Sequence, residues 1–155
     1  MKKIPITKGY FALVDNKEFE YLNQFKWHYS QPGYASKGKP YINGNPQGQL
    51  LMHRLIMKCP ENKTVDHINQ NKLDNRKKNL RICSYHENRM NSALQSNNTS
   101  GYKGVYFYKG KWSAQVKLNG KMKYVGRFID KKDAARAYNQ KATEFFGEYA
   151  NLNQI

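Results

Sequence analysis

Acidic side chains are scarce in this chain: 11 Asp and Glu stand against 27 Lys and Arg in 155 residues, a formal net charge of +16. Such an imbalance opposes compaction by self-repulsion and draws a polyanion strongly, so nucleic acid is the default partner. The excess is +6 over residues 1–58, +3 over 59–94 and +7 over 95–155, which excludes a neutral enzyme with one basic tail. Long apolar runs are missing too. Nothing approaches the roughly 18–20 consecutive apolar residues of a spanning helix, so no membrane partner is expected. No secretory signal is expected either, because Lys8, Asp15 and Lys17 interrupt the apolar stretch behind MKKIPI. Cysteine is nearly absent: Cys59 and Cys83 form no C-x-x-C pair. That argues against a disulfide framework and a zinc finger, and for reduced side chains in a cytoplasmic protein. The hydrophobic share, 39%, is low for one large core, which favours small modules.

Four segments are expected: a supporting module over 1–58, a central unit over 59–94, a polar linker QSNNTS over 95–100 and a C-terminal module over 101–155. In the first, Gly9 to Asp15 reads as a strand. Asp15 with Glu18 reads as a capping box opening a helix from Asn16 to about Phe25. Trp27 with Tyr29, Tyr34-Ala35 and Tyr41-Ile42 suggest a small sheet, and Gly38 to Gly48 a loop. Its lysines read as a solvated basic surface, and His53, alone in an apolar run, as a structural histidine.

The central stretch, Thr64 to Asn91, carries the chemistry. Thr64 to Ile68 and Leu80 to Cys83 read as strands around a polar loop, and Ser84 with Glu87 caps a helix, giving strand, loop, strand, helix. Phosphodiester hydrolysis needs a base for water and a cation for the charge that develops on the phosphate. His67 suits the first role, its ordinary pKa being about 6.5. Asp66 and Asn88 offer hard oxygens, which suit magnesium or manganese. Adjacent strand residues face opposite ways, so Asp66 and His67 share a site only if the strand twists or ends there. Lys72, Arg76, Lys77, Lys78, Arg81 and Arg89 border the site as candidate phosphate contacts. His86, two residues before Asn88, lies on another helix face and is a weaker ligand.

These residues resemble the HNH nuclease family, specifically the phage and mobile-element homing endonucleases. Asp66-His67, then Asn79, then Asn88 match its motif in order and spacing. The resemblance implies a ββα-metal unit in which Asp66 and Asn88 bind one divalent ion, magnesium for preference with manganese as substitute. It further implies that His67 activates water and that Asn79 braces the loop. Asn88 stands where many members carry His. A phage or mobile-element origin, in a bacterial host cytoplasm, follows from the same resemblance.

After the linker, Tyr102 to Tyr108, Lys111 to Leu118 and Met122 to Ile129 read as three strands, with Asn119-Gly120 a hairpin turn. Asp130 opens an alanine-rich helix that Gly147 stops. Alternation puts Trp112, Ala114, Val116 and Leu118 under the helix. It leaves an exposed face of Lys103, Tyr106, Tyr108, Gln115, Lys117, Met122 and Tyr124, suited to a major groove. Lys103-Gly104-Val105, Lys111-Trp112, Ala134-Ala135-Arg136-Ala137-Tyr138 and Ala150-Asn151-Leu152-Asn153 resemble the Apetala/ethylene-response-factor DNA-binding domain. That resemblance implies that the sheet face contacts double-stranded DNA.

The expectation is therefore an α+β chain: a small α/β support, a ββα-metal nuclease unit, and a three-stranded antiparallel sheet packed on one helix. It acts as a metal-dependent endonuclease on duplex DNA and works as a monomer. A catalytically inactive DNA-binding regulator and an RNA-binding module are the alternatives.

Overall fold

The computed structural model describes residues 1–43 and 47–155. Helices and strands are mixed along the chain, and the fold is α+β. Two compact units divide it, Met1–Asn88 and Arg89–Ile155. The stretch read as a support and most of the central stretch share the first unit. Among the described residues no helix is long and apolar enough to cross a membrane.

The first unit opens with β1 (Lys2–Pro5) antiparallel to β2 (Phe11–Val14). Sequence patterning missed β1 because only Ile4 of its four residues is buried, too few for alternation to register. Helix α1 (Asn16–Leu22) stops three residues short of Phe25. The carbonyl of Leu22 is taken there by the Phe25 N–H at 3.2 Å and the Trp27 indole at 2.8 Å, which turns the chain. Asp15 does start this helix, but its side chain makes no cap bond. Its Oδ2 instead accepts the backbone N–H of Lys77 at 2.8 Å, across 62 residues.

Next come β3 (His28–Tyr29), β4 (Ala35–Gly38) and β5 (Gln49–Leu51), hydrogen-bonded in that order. Tyr41 and Ile42 lie outside these strands; Gln49–Leu51 provides the third. Residues 44–46 of the expected loop lie outside the described residues. The apolar run after β5 forms α2 (Met52–Met57). Ile4, Val14, Leu22, Trp27 and Met52 join in one buried cluster. Each such side chain stabilises the fold by about 2 kcal/mol.

β6 (Thr64–His67) pairs antiparallel with β7 (Leu80–Cys83), setting Asp66 opposite Arg81 and His67 opposite Leu80. Helix α3 (Tyr85–Met90) follows. The Ser84 N–H donates to Glu87 Oε2 at 2.7 Å and the Glu87 N–H to Ser84 Oγ at 3.1 Å, the reciprocal pair that the sequence implied. The loop between β6 and β7 is sewn to β2. Leu13 donates to the Leu73 carbonyl at 2.8 Å and accepts from the Asn75 N–H at 2.8 Å. Lys77 adds an ion pair to Glu18 at 2.5 Å. The amino-terminal strands thus hold the loop by its backbone.

In the second unit β8 (Val105–Tyr108), β9 (Lys111–Leu118) and β10 (Lys121–Phe128) form an antiparallel sheet with β9 central. Both hairpin turns, Lys109-Gly110 and Asn119-Gly120, hold two consecutive positive-φ residues, the geometry that matches strand twist. Helix α4 (Lys131–Phe146) starts at Asp130, whose Oδ1 accepts the N–H groups of Lys132 at 2.6 Å and Asp133 at 3.2 Å. Asp133 turns to Arg136 at 2.7 Å. Ala134, Ala135, Tyr138 and Ala142 of α4 share an apolar cluster with Val105, Ala114 and Val116. Gly104, at φ +72°, lies so close to the Tyr138 ring that a Cβ would collide with it.

Candidate active site

β6 ends at His67, and the chain turns there through the Gln70 N–H to His67 carbonyl bond at 2.8 Å. Asp66 and His67 are both buried, at 5% exposure each. The Asp66 carboxylate is near enough to His67 to favour its protonated form, as are Asp74 and the Asn75 side chain. Burial outweighs these and holds His67 below the ordinary imidazole value, so the ring is neutral at pH 7. A neutral imidazole is the form able to take a proton.

The His67 ring sits in an aromatic setting. His53 meets it edge to face at 4.9 Å between centroids, and Tyr34 lies 5.9 Å from it and 5.0 Å from His53. Burial, then the Asp66 carboxylate, pushes the Tyr34 phenol up. His53 is driven down to about 3 by burial, then by His67 and Arg54. Its Nδ1 is buried without a hydrogen-bond partner among the described residues. His53, read from the sequence as a structural residue in preference to one that touches the site, thus lies directly against His67.

Asn79 bonds to both sides of the loop. Its Nδ2 donates to the Asp74 carbonyl at 2.8 Å, and its Oδ1 accepts the Asn69 N–H at 3.0 Å. Asn75, which sequence reasoning passed over, is 1% exposed and places Oδ1 3.3 Å from His67 Nε2. A buried asparagine within a polar loop leaves no periodic signal, which is why it was missed.

Asp66 Oδ2 accepts from Arg81 Nε at 2.9 Å and Nη2 at 2.6 Å. Arg81 stands directly opposite on β7, so the strand register builds this pair. Asn88 is half-buried on α3, its N–H donating to the Ser84 carbonyl at 3.0 Å. One carboxylate and one amide oxygen are hard donors that fit a magnesium-type ion keeping several waters. The fit is in donor chemistry, with Arg81 now supplying the counter-charge on Asp66. His86 is exposed on the same short helix. Cys83, buried on β7, is pushed up to about 11, first by burial, and is a thiol at pH 7. Cys59 is also a free thiol.

The basic residues expected around the site are placed unequally. Lys72 Nζ donates to the Pro32 carbonyl at 2.9 Å and lies 5.1 Å from the Tyr34 ring centroid. Arg76 closes on Asp74 through Nε at 2.6 Å and Nη2 at 2.5 Å, holding that carboxyl below its usual range. Lys77 is paired with Glu18, while Lys78 and Arg89 are exposed.

On the C-terminal sheet, strand register brings Tyr106, Tyr108, Gln115, Lys117, Met122 and Tyr124 onto one face. An irregularity at Val125 lets Arg127 join that face, where its Nη2 donates to the Tyr108 carbonyl at 2.9 Å. Sequence alternation missed Arg127 because the irregularity shifts the period. Ser113 belongs to the same face but is buried between its cross-strand neighbours Tyr106 and Arg127. Lys103 is placed elsewhere. Its Nζ donates to the carbonyls of Met90 at 3.0 Å and Ser92 at 2.7 Å, and burial pushes it down to about 8.

Residues 51–90 match the family model described as HNH endonuclease. The chain is also 33% identical, over 151 residues, to an uncharacterized HNH endonuclease of Acanthamoeba polyphaga mimivirus. The match covers 96% of this chain and 77% of that relative. The chain belongs to the HNH endonuclease family. Its carboxyl-terminal part is similar to plant transcription factors. It is 39% identical over 59 residues to an AP2-like ethylene-responsive transcription factor of Arabidopsis thaliana, and 40% identical over 57 residues to APETALA2-like protein 2 of Oryza sativa. These matches span 37% and 36% of this chain and only 12% and 13% of those proteins. No solved structure matches the chain.

Proposed function

We propose that the protein is a metal-dependent endonuclease of the homing type that hydrolyses a phosphodiester in duplex DNA. In this reading β6, β7 and α3 are a ββα-metal unit, and the C-terminal sheet holds DNA. The observation that carries it is the buried His67 beside Asp66 at the end of β6, at the mouth of a loop pinned by Asn79. Asp66 and Asn88 would hold a divalent ion, magnesium or manganese, whose Lewis acidity stabilises charge on the phosphate and leaving oxygen. His67 accepts the proton of the attacking water, and the water oxygen displaces the leaving oxygen at phosphorus. Asn79 keeps the loop closed while the ring gains its charge. Tyr106, Tyr108, Gln115, Lys117, Met122 and Tyr124 face the duplex, and Lys72, Lys78 and Arg89 supply further phosphate contacts. A single site of this kind serves one strand at a time, so a monomer nicks.

Supercoiled plasmid carrying a candidate target, incubated with and without magnesium, tests the reading. The wild-type protein is expected to nick only with magnesium, and His67→Ala to be inactive. Equal nicking by His67→Ala would sink the assignment. The Arg81 grip on Asp66 favours one other reading, a DNA-binding regulator without turnover, in which the guanidinium permanently takes the cation's place. Magnesium-independent DNA binding with no nicking at any metal concentration supports that alternative.

A further inference from the structure

We infer that Asn75 is a positioning residue that fixes the proton of the His67 ring on Nε2 and so presents Nδ1 as the basic nitrogen. The inference deepens the proposed nuclease reading and rests on it for its catalytic meaning. It begins with the orientation of one amide. Asn75 Nδ2 lies 3.3 Å from the Leu73 carbonyl and donates to it, which turns Oδ1 toward His67 Nε2, also at 3.3 Å. The flipped amide would set Oδ1 against the Leu73 carbonyl, two acceptors with no proton between them, around a side chain that is itself buried. An amide oxygen only accepts, so the ring nitrogen facing it carries the hydrogen. A neutral imidazole has one such hydrogen, and Nδ1 then holds the lone pair.

The side chain cannot swing out of this role easily. Asn75 is fully buried, its N–H is bonded to the Leu13 carbonyl at 2.8 Å, and Leu13 in turn donates to Leu73 at 2.8 Å. Both acceptors that orient the residue therefore belong to one backbone seam with β2. Asn79 plays a different part, since its side chain bonds to the backbone of the loop on both sides and leaves the ring alone. Bracing the loop and choosing the tautomer are divided between two asparagines four residues apart.

The test reads the ring directly in the full-length, metal-free protein at about pH 7.5, where the ring is neutral, by two-bond proton–nitrogen correlation with the His67 signals assigned by substitution. The wild-type protein is expected to show the Nε2–H tautomer. Asn75→Ala should shift the population toward Nδ1–H. Cleavage by Asn75→Ala should fall about 10- to 100-fold in kcat, as removal of orienting partners generally costs, with KM little changed. An Nδ1–H ring in the wild type overturns the inference without any variant having to fold. An unchanged tautomer in folded Asn75→Ala overturns it as well. An Asn75-dependent tautomer in a protein that never cuts DNA leaves the tautomer assignment standing and sinks the nuclease reading instead.

Discussion

Arg81 closes on Asp66 Oδ2, through Nε at 2.9 Å and Nη2 at 2.6 Å, from the directly opposing position of the neighbouring strand. Both side chains are largely removed from water, at 13% and 6% exposure. Removing one member takes from the other an opposing charge in a setting largely shut off from water. Arg81→Ala should therefore cost about 3 kcal/mol in urea unfolding, and Asp66→Ala a similar amount. The double variant should cost clearly less than the two together. Additivity to within about 0.5 kcal/mol would show that the pair is not coupled.

His53 makes stability depend on pH. Its folded value of about 3 lies below the ordinary 6.5, so the folded ring stays neutral while the unfolded ring takes a proton. The stability that neutral burial confers is complete above about pH 6.5 and is lost as pH falls from there toward about 3. One proton sets a slope of about 1.4 kcal/mol per pH unit, to which His67 adds. Urea unfolding between about pH 4 and 6 should show His53→Phe flatter than wild type by that slope, and the two should run parallel above about pH 7. Identical slopes would mean that His53 is protonated in the fold.

Lys117 and Arg127 share the exposed face of the C-terminal sheet. If that face meets DNA, each lost phosphate contact should lower the slope of log affinity against log salt by about 0.9. Fluorescence anisotropy with Lys117→Ala and Arg127→Ala reads this. Unchanged slopes in both place these cations away from phosphates.

Gly104 permits a close approach that no other residue allows. Its φ of +72° and the Tyr138 ring against its absent side chain predict that Gly104→Ala costs about 3 kcal/mol. Proteolysis of the full chain should then show residues 101–155 degraded first. Wild-type resistance in the variant would mean that the ring moves aside at no cost.

The parts legible from sequence were those where one local interaction decides the outcome. Lys111 to Leu118, Asn119-Gly120 and the Ser84–Glu87 pair needed only alternation, turn chemistry or a cap three residues long. Misreadings fell where a distant partner won. Asp15 has the sequence of a helix cap, yet its carboxylate serves Lys77, because an unsatisfied amide in the loop is as good a donor as one in the first turn. Lys103 has the look of an exposed sheet residue, but two carbonyls draw its ammonium away. Asn75 is the clearest case among the site residues: Leu13 is remote in sequence, His67 lies eight residues back across an irregular loop, and no spacing rule connects the three.

The backbone seam between Leu13 and the 73–75 segment also governs how the enzyme can be taken apart. Residues 51–90, the stretch that carries the family signature, end up as a cassette that does not travel alone. Shuffled into another protein, that cassette brings the motif and leaves behind the strand edge against which its loop is cast. A split made between the fragments ending at 48 and beginning at 49 keeps the two sides of the seam on separate pieces. Their reassembly, and with it a conditional nuclease, would depend on that main-chain pairing together with the Asp15 and Glu18 contacts to Lys77 and the packing of Met52 on Trp27.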